Sequence, residues 1–218
     1  MKILNLIYLL ILLPFCLHAN GLPQAVSKGD VEAVKQLVKD GADINEANAA
    51  GWTPLHYAAI RDKQDVAKTL IELGAKVDAC TKQGKSALFF CAERKRLAFA
   101  ELLLKHKANH AIQDERGWTA LHFAAVKGDI PMMNLLLKHG ADINRPSNGG
   151  GTPLHEAVCG QSEEVVAFLL KQGAQINDLT KDGTSSLAYA IDFKNEPVVA
   201  LLKKHDAIEA RPKAKTEK

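Results

Sequence analysis

Apolar positions along the chain recur with two periods. The short one is helical: Leu55, Ala58 and Ala59 make one narrow stripe, and Val66, Leu70 and Ile71 make a second. The long one is 33 residues. Gly51, Gly84, Gly117, Gly150 and Gly183 keep that step, as do Leu55, Leu88, Leu121, Leu154 and Leu187. Leu37 to Leu202 and Ala42 to Ala207 repeat at the same interval, and no insertion breaks the register. A fixed period of this length predicts a stacked array of small units.

The unit 51–83 shows what each repeat contains. Gly51-Trp52-Thr53-Pro54 reads as a turn into a helix, with Thr53 as N-cap and Pro54 at the first helical position. Alanines on the first stripe let neighbouring helices approach closely. Gly74 follows the second helix, where a left-handed residue is wanted. The polar stretch from Ala79 to Gly84 then joins the next unit. Two short antiparallel helices and a projecting turn cannot bury their apolar faces alone, so the units must stack.

Three segments carry a family likeness: Gly51 to Ala59 (GWTPLHYAA), Gly117 to Ala125 (GWTALHFAA) and Thr152 to Ala157 (TPLHEA). The second-helix ending Leu136 to Asn144 (LLKHGADIN) carries it too. These resemble the ankyrin repeat signature, and the resemblance extends over about 22–210. It implies an all-α solenoid of about six helix-pair units with short β-hairpin-like fingers. The units are 22–50, 51–83, 84–116, 117–149, 150–182 and 183–211, within a repeat domain of 20–211. Unit 84–116 departs from the pattern, with Ser86-Ala87-Leu88-Phe89 at the helix start and Lys107 at the Gly position. The last unit departs similarly, with Ser185-Ser186-Leu187-Ala188 and Asp206.

The N-terminus reads differently. Lys2, an apolar run from Ile3 to Phe15, and small or polar residues from Leu17 to Gly21 make the layout of a secretory signal peptide over 1–19, cut after Ala19. The run is shorter than the ~20 residues that span a bilayer. The alternatives are an uncleaved segment that would anchor the chain in a membrane, or a lipid on Cys16, which the preceding Pro14-Phe15 disfavours. The reading expects an exported protein, periplasmic or secreted, of bacterial style. At the other end the chain from Arg211 onward reads as a frayed basic tail, with 212–218 outside the repeats.

Composition narrows function. Of 218 residues, 47% are hydrophobic and 24% charged, which suits a folded chain. A net charge of +3 and 6% aromatic residues do not point to nucleic acid. Four cysteines are too few for a disulfide scaffold. Cys91 falls in a small-residue row and is expected to be buried, Cys159 near a helix end, and Cys80, on a finger, is the one candidate reactive thiol. His56, His122 and His155 sit in successive or alternate units, too far apart for one metal ion; the resemblance implies a structural hydrogen-bonding role for them. No phosphate loop, Cys-x-x-Cys or His-Glu-x-x-His pattern occurs. No catalytic residue, metal, cofactor or small-molecule substrate is expected.

The resemblance implies a contact surface on the concave face, lined by fingers and first-helix ends. In register those positions are Trp52, Ile60, Arg61, Lys82, Lys85, Arg94, Arg116, Trp118 and Lys127. Trp and Arg are frequent interface anchors. Both tryptophans share one finger slot, where packing on neighbouring fingers is the alternative use. Tyr57, Phe90, Phe123 and Tyr189 are in register on the first helix and read as packing between units. Charge is uneven: unit 84–116 has seven basic and four acidic residues, unit 150–182 two and five. A monomeric, non-enzymatic module binding a protein partner is therefore expected. Two readings compete with a periplasmic scaffold: an exported effector acting on a host protein, and an enzyme using Cys80 or the histidines.

Overall fold

Each pair of apolar stripes becomes a pair of short helices. A computed structural model describes residues 21–212; the signal-peptide cut, the Cys16 lipid and nearly all of the 212–218 tail lie outside the described residues. The first helices are α1 (Gly21–Lys28), α3 (Pro54–Arg61), α5 (Ala87–Glu93), α7 (Ala120–Val126), α9 (Pro153–Cys159) and α11 (Ser186–Asp192). The second helices are α2 (Val31–Lys39), α4 (Gln64–Glu72), α6 (Leu97–Lys105), α8 (Ile130–Lys138), α10 (Glu163–Lys171) and α12 (Glu196–Lys204). First helices pack on one another in an unbroken row, and second helices stack behind them, as α2 does on α4 and α4 on α6. This is the all-α solenoid of six helix pairs that the 33-residue period predicts.

The small residues sit where helices approach most closely. Ala58, Cys91, Ala124, Ala157 and Ala190 are in register and fully buried, so Cys91 is the small core residue expected. Leu70, Leu103, Leu136, Leu169 and Leu202 are likewise sealed. Helices of seven to nine residues are not stable alone in water, so this shared core, not helix propensity, holds the array.

The periodic Leu, Gly and Ala positions have a common cause at the second-helix ends. Ala75 N–H donates to Leu70 O at 2.9 Å and Gly74 N–H to Ile71 O at 3.0 Å, with Gly74 at φ +97°. These bonds close the helix with a left-handed residue. Lys107 (φ +62°) and Asp206 (φ +58°) take the same conformation without glycine. The last unit holds Arg211 by ion pairs. Its guanidinium meets Asp192 at 2.8 Å and Glu209 at 3.0 Å, so Arg211 belongs to the capping unit.

Candidate functional site

The fingers are built by local hydrogen bonds and then tied to one another. Asn48 N–H donates to Trp52 O (3.0 Å), Thr81 to Lys85 (3.0 Å), Asp114 to Trp118 (2.9 Å), Ser147 to Gly151 (2.8 Å) and Thr180 to Thr184 (3.0 Å). Two of these hairpins also carry an antiparallel bridge, Cys80 with Ser86 and Leu179 with Ser185. A ladder joins successive fingers: Lys82 N–H to Ala50 O, Glu115 to Gln83, Asn148 to Arg116, and Lys181 to Gly149, at 2.8–3.0 Å. The periodic glycine makes that approach possible. A Cβ on Gly51 would lie 2.7 Å from Lys82 N, and one on Gly150 2.7 Å from Lys181 N. Both glycines also have positive φ.

Below the fingers, His56 and His122 lock their first helices to the following finger. In α7, His122 Nδ1 accepts the Thr119 N–H at 3.1 Å, so Nε2 carries the ring proton and donates to Gly151 O at 3.2 Å. His56 does the same with Thr53 (3.1 Å) and Lys85 O (3.1 Å). Burial pushes His122 down to about 4 and outweighs the hydrogen bonds that favour its charged form. His56 and His155 are lowered by the same cause. In α9, His155 Nδ1 takes the Thr152 N–H at 3.2 Å, but its Nε2 has no partner. The Thr184 carbonyl opposite already accepts the Thr180 N–H at 3.0 Å and lies 3.1 Å from the Thr180 hydroxyl. In α5, Phe89 replaces the histidine, is fully buried, and packs against Phe123 with ring centroids 5.2 Å apart. All three histidines thus cap their helices and two of them bridge to the next finger, in keeping with the structural hydrogen-bonding role the resemblance implies.

The expected contact residues fall in repeating rows on the finger and first-helix face. Lys82 and Arg116 lie on the finger tips, Trp52, Lys85 and Trp118 at the finger bases, and Ile60, Arg61, Arg94 and Lys127 at first-helix ends. Arg61, Lys82, Arg94, Arg116 and Lys127 are exposed, and Ile60 is half-buried. Arg116 is held rigid: its Nε and Nη2 reach Asp114 Oδ2 at 3.1 and 3.0 Å, and its guanidinium lies 4.4 Å over the Trp118 ring. Trp52 and Trp118 serve both uses set out for them. Each is half-buried, Trp52 against Phe90 of the next unit at 4.6 Å and Trp118 against Phe123 at 5.6 Å, and each leaves an edge in solvent. Lys85 is the least exposed cation of the set. Its side chain is only 18% exposed, with Nζ 5.1 Å from the Phe89 ring and 3.7 Å from Glu93, so it packs within its own unit.

The thiols are poor nucleophiles. Cys80 is exposed and donates to Asp78 O at 3.4 Å; burial, then the Asp78 charge, raise its pKa. Burial and the nearby Glu156 push Cys159 up to about 11. The thiolate is the reactive form, so neither cysteine is primed. Among the described residues, no group of three or more His, Cys, Asp or Glu side chains could hold a metal ion, and no helix is long and apolar enough to cross a membrane.

One residue of this face escaped the sequence reading although its signal was present. The first-helix row of Gln24, Tyr57, Phe90, Phe123 and Tyr189 also contains Glu156, the only charged residue in it. Nothing in the composition of α9 marks that position; only the row does.

Comparison with known proteins agrees with this architecture. Over 54 residues the chain is 48% identical to human protein phosphatase 1 regulatory subunit 27, covering 23% of this chain and 35% of that protein. Over 47 residues it is 52% identical to the human Notch-regulated ankyrin repeat-containing protein, covering 22% of this chain and 41% of the relative. The zebrafish Notch-regulated ankyrin repeat-containing protein A matches to the same degree, with 42% of its length covered. The chain thus spans about a third to two fifths of the curated relatives it matches. The family model described as ankyrin repeats (3 copies) matches in overlapping windows, 22–114, 73–147, 106–180 and 146–215. With twelve paired helices among the described residues and fingers that recur every 33 residues over that whole span, the chain belongs to the ankyrin repeat family.

Proposed function

We propose that this protein is a non-enzymatic binding module whose finger and first-helix face engages a protein partner. The observation that carries this reading is the finger ladder. Backbone bonds from Lys82, Glu115, Asn148 and Lys181 to the preceding finger fix the spacing of the fingers that carry Trp52, Lys82, Arg116 and Trp118, and the packed row of first helices sets the backbones of Arg61, Arg94 and Lys127 beside them. A surface ordered before binding loses little entropy on association. The sequence has no phosphate-loop pattern, no metal cluster occurs among the described residues, the Cys80 and Cys159 thiols are raised, and both ring nitrogens of His56 and His122 are held by neighbouring backbone groups. Two of the relatives are named for regulation, of protein phosphatase 1 and by Notch, which is compatible with a binding role.

The test is capture of a partner by the purified chain, identification by mass spectrometry, and affinity measurement on variants. Trp118→Ala or Arg94→Ala should weaken binding by ~1–4 kcal/mol with the fold retained. Lys138→Ala, on the second-helix surface, should change little. Equal losses from both faces would refute the assignment. The partner is placed outside the cytoplasm by the reading of Lys2, Ile3–Phe15 and Ala19 as a cleaved signal. N-terminal sequencing of the protein from its native cell tests that part: a start at Asn20 supports export, and a start at Met1 overturns it.

A further inference from the structure

Two in-register replacements open a cleft in the face just described. At the finger-base position, Trp52, Lys85 and Trp118 are followed by Gly151, which has no side chain. On the first helix, Tyr57, Phe90 and Phe123 are followed by Glu156, and aromatic character resumes at Tyr189. The aromatic packing that runs from Trp52 through Phe90 and Phe89 to Phe123 and Trp118 stops there. In its place is a cleft of about 440 Å³, walled by Gly151, His155, Glu156, Cys159, Asp182 and Tyr189. A Cβ on Gly151 would sit 3.2 Å from Glu156 Oε1, so the carboxylate occupies the ground that a larger residue would take.

That carboxylate is without a partner. Glu156 is half-buried, and no hydrogen bond or ion pair reaches it from the described residues. Arg116 is the cation that acts on it, but the Arg116 guanidinium is already bound to Asp114 through two nitrogens and stacked on Trp118. Lys181 is the one cation among the lining residues and is exposed at the rim. Asp182, beside it, is occupied by the Thr180 hydroxyl and the Thr184 N–H. Against the same cleft stands His155, 2% exposed, with Nε2 unbonded. A half-desolvated carboxylate whose nearest cation is bound to another carboxylate is costly, and that cost falls when a further cation is brought to it. The unit as a whole has five acidic residues against two basic, so its field favours an approaching positive charge.

We propose that this cleft is a subsite for an arginine or lysine side chain of the bound protein, its apolar stem against Tyr189 and its cationic head on the Glu156 carboxylate. The inference rests on the binding-face reading and deepens it. The face then has two distinct ends: exposed cations and tryptophan edges on units 51–149, and a single acidic socket on unit 150–182.

The probe is a blocked Gly-Arg-Gly tripeptide, with its citrulline counterpart as the neutral isostere, titrated into the isotope-labelled full chain and followed by NMR. The arginine peptide should move the Gly151, Glu156, Cys159 and Tyr189 amides saturably. The citrulline peptide should bind about tenfold more weakly, the factor of one charge-assisted contact. Glu156→Gln should lose the same factor. Glu156→Phe, which restores the aromatic row, should abolish the shifts while leaving the melting point unchanged or raised, so loss of binding is separable from loss of fold. Equal binding of citrulline, shifts that map elsewhere, or no saturable shift overturns the proposal. That failure leaves the wider reading standing if Trp118→Ala still weakens the captured partner, and the converse pattern condemns the wider reading instead.

Discussion

The Asp78 carboxylate accepts the backbone N–H of Asn109 at 2.8 Å, tying the end of one unit to the next. Asn45 does the same to Lys76 (2.7 Å), Asn144 to Gln175 (2.8 Å) and Asn177 to Ile208 (2.9 Å), always across 31 residues. At the junction between units 84–116 and 117–149 the position is Ala111, which has no acceptor. The same junction lacks the histidine bridge, because Phe89 replaces it. In part compensation, Arg145 Nη2 reaches Gln113 Oε1 at 3.0 Å and Asn148 Nδ2 reaches Glu115 O at 2.9 Å.

Ala111→Asn is accordingly expected to stabilise the protein. It supplies the missing acceptor for the Asp142 N–H at an exposed position where no core is disturbed. The gain should be about 0.5–1.5 kcal/mol, or roughly 1–6 °C in melting point for a chain of this size. An unchanged or lowered melting point would show that the row does not act as a clamp.

His122 should make the array acid-sensitive. Its pKa falls from the ordinary 6.5 to about 4 on folding, because burial disfavours the imidazolium. The unfolded chain therefore binds more protons between those values, and stability must fall as pH drops from about 6.5 to about 4. His56 and His155 shift in the same direction. Phe89 shows that the slot accepts an apolar ring. His122→Phe should flatten that acid limb while costing about 1–2 kcal/mol at neutral pH through the lost cap and the lost bond to Gly151. If the variant keeps the full acid slope, His122 is not its source.

Glu156 acts with the opposite sign. Burial raises its pKa from the ordinary 4.5 to about 7. The folded state then holds the proton more tightly, so the associated stability is complete below about 4.5 and disappears as pH climbs through about 7. Glu156→Gln should remove this alkaline limb. It should stabilise the protein above pH 7 by roughly 1–2 kcal/mol, a figure reduced for the partial exposure of the carboxylate. Thermal melts at pH 5 and pH 8 decide it: a wild-type-minus-variant difference that does not change between them would contradict the assignment.

Sequence periodicity exposes whatever repeats and hides what does not. The Leu, Ala and Gly rows each correspond to one recurrent contact, so helices, fingers and helix ends were all legible. Lys107 stood out because four of the five other units have Gly at its position. The left-handed residues that end the first helices did not stand out: Asp62, Lys95, Gln161 and Lys194 share a row with glycine only at Gly29 and Gly128. The partial burial of Lys85 was not legible, because it depends on Phe89, Phe90 and Glu93 in its own unit and not on its row. Arg211 meets Asp192 across 19 residues, a spacing with no period to announce it. Glu156 was legible, but only to a reading that asks which member of an aromatic row is missing.

The last prediction concerns where the array opens first. Repeat stability is approximately a sum of unit and interface contributions, so a single poor unit divides the whole. Unit 84–116 holds two non-glycine residues in the left-handed region, Lys95 at φ +55° and Lys107 at φ +62°, against none in unit 117–149. Each costs about 1–2 kcal/mol relative to an unstrained backbone. The unit also lacks the Thr-His cap, leaving the Ser86 hydroxyl on Phe89 N–H at 3.3 Å, and it has seven basic against four acidic residues. Lys107→Gly should raise stability by up to ~1 kcal/mol, since a Cβ at the equivalent Gly74 and Gly173 meets nothing within 4 Å and backbone strain alone is relieved. Native-state hydrogen exchange should find the amides of α5 and α6 opening at lower free energy than those of α7 and α8. Equal protection in the two units, or a melting point lowered by Lys107→Gly, would mean that Phe89, Phe99 and Leu103 in the core outweigh the strained turns.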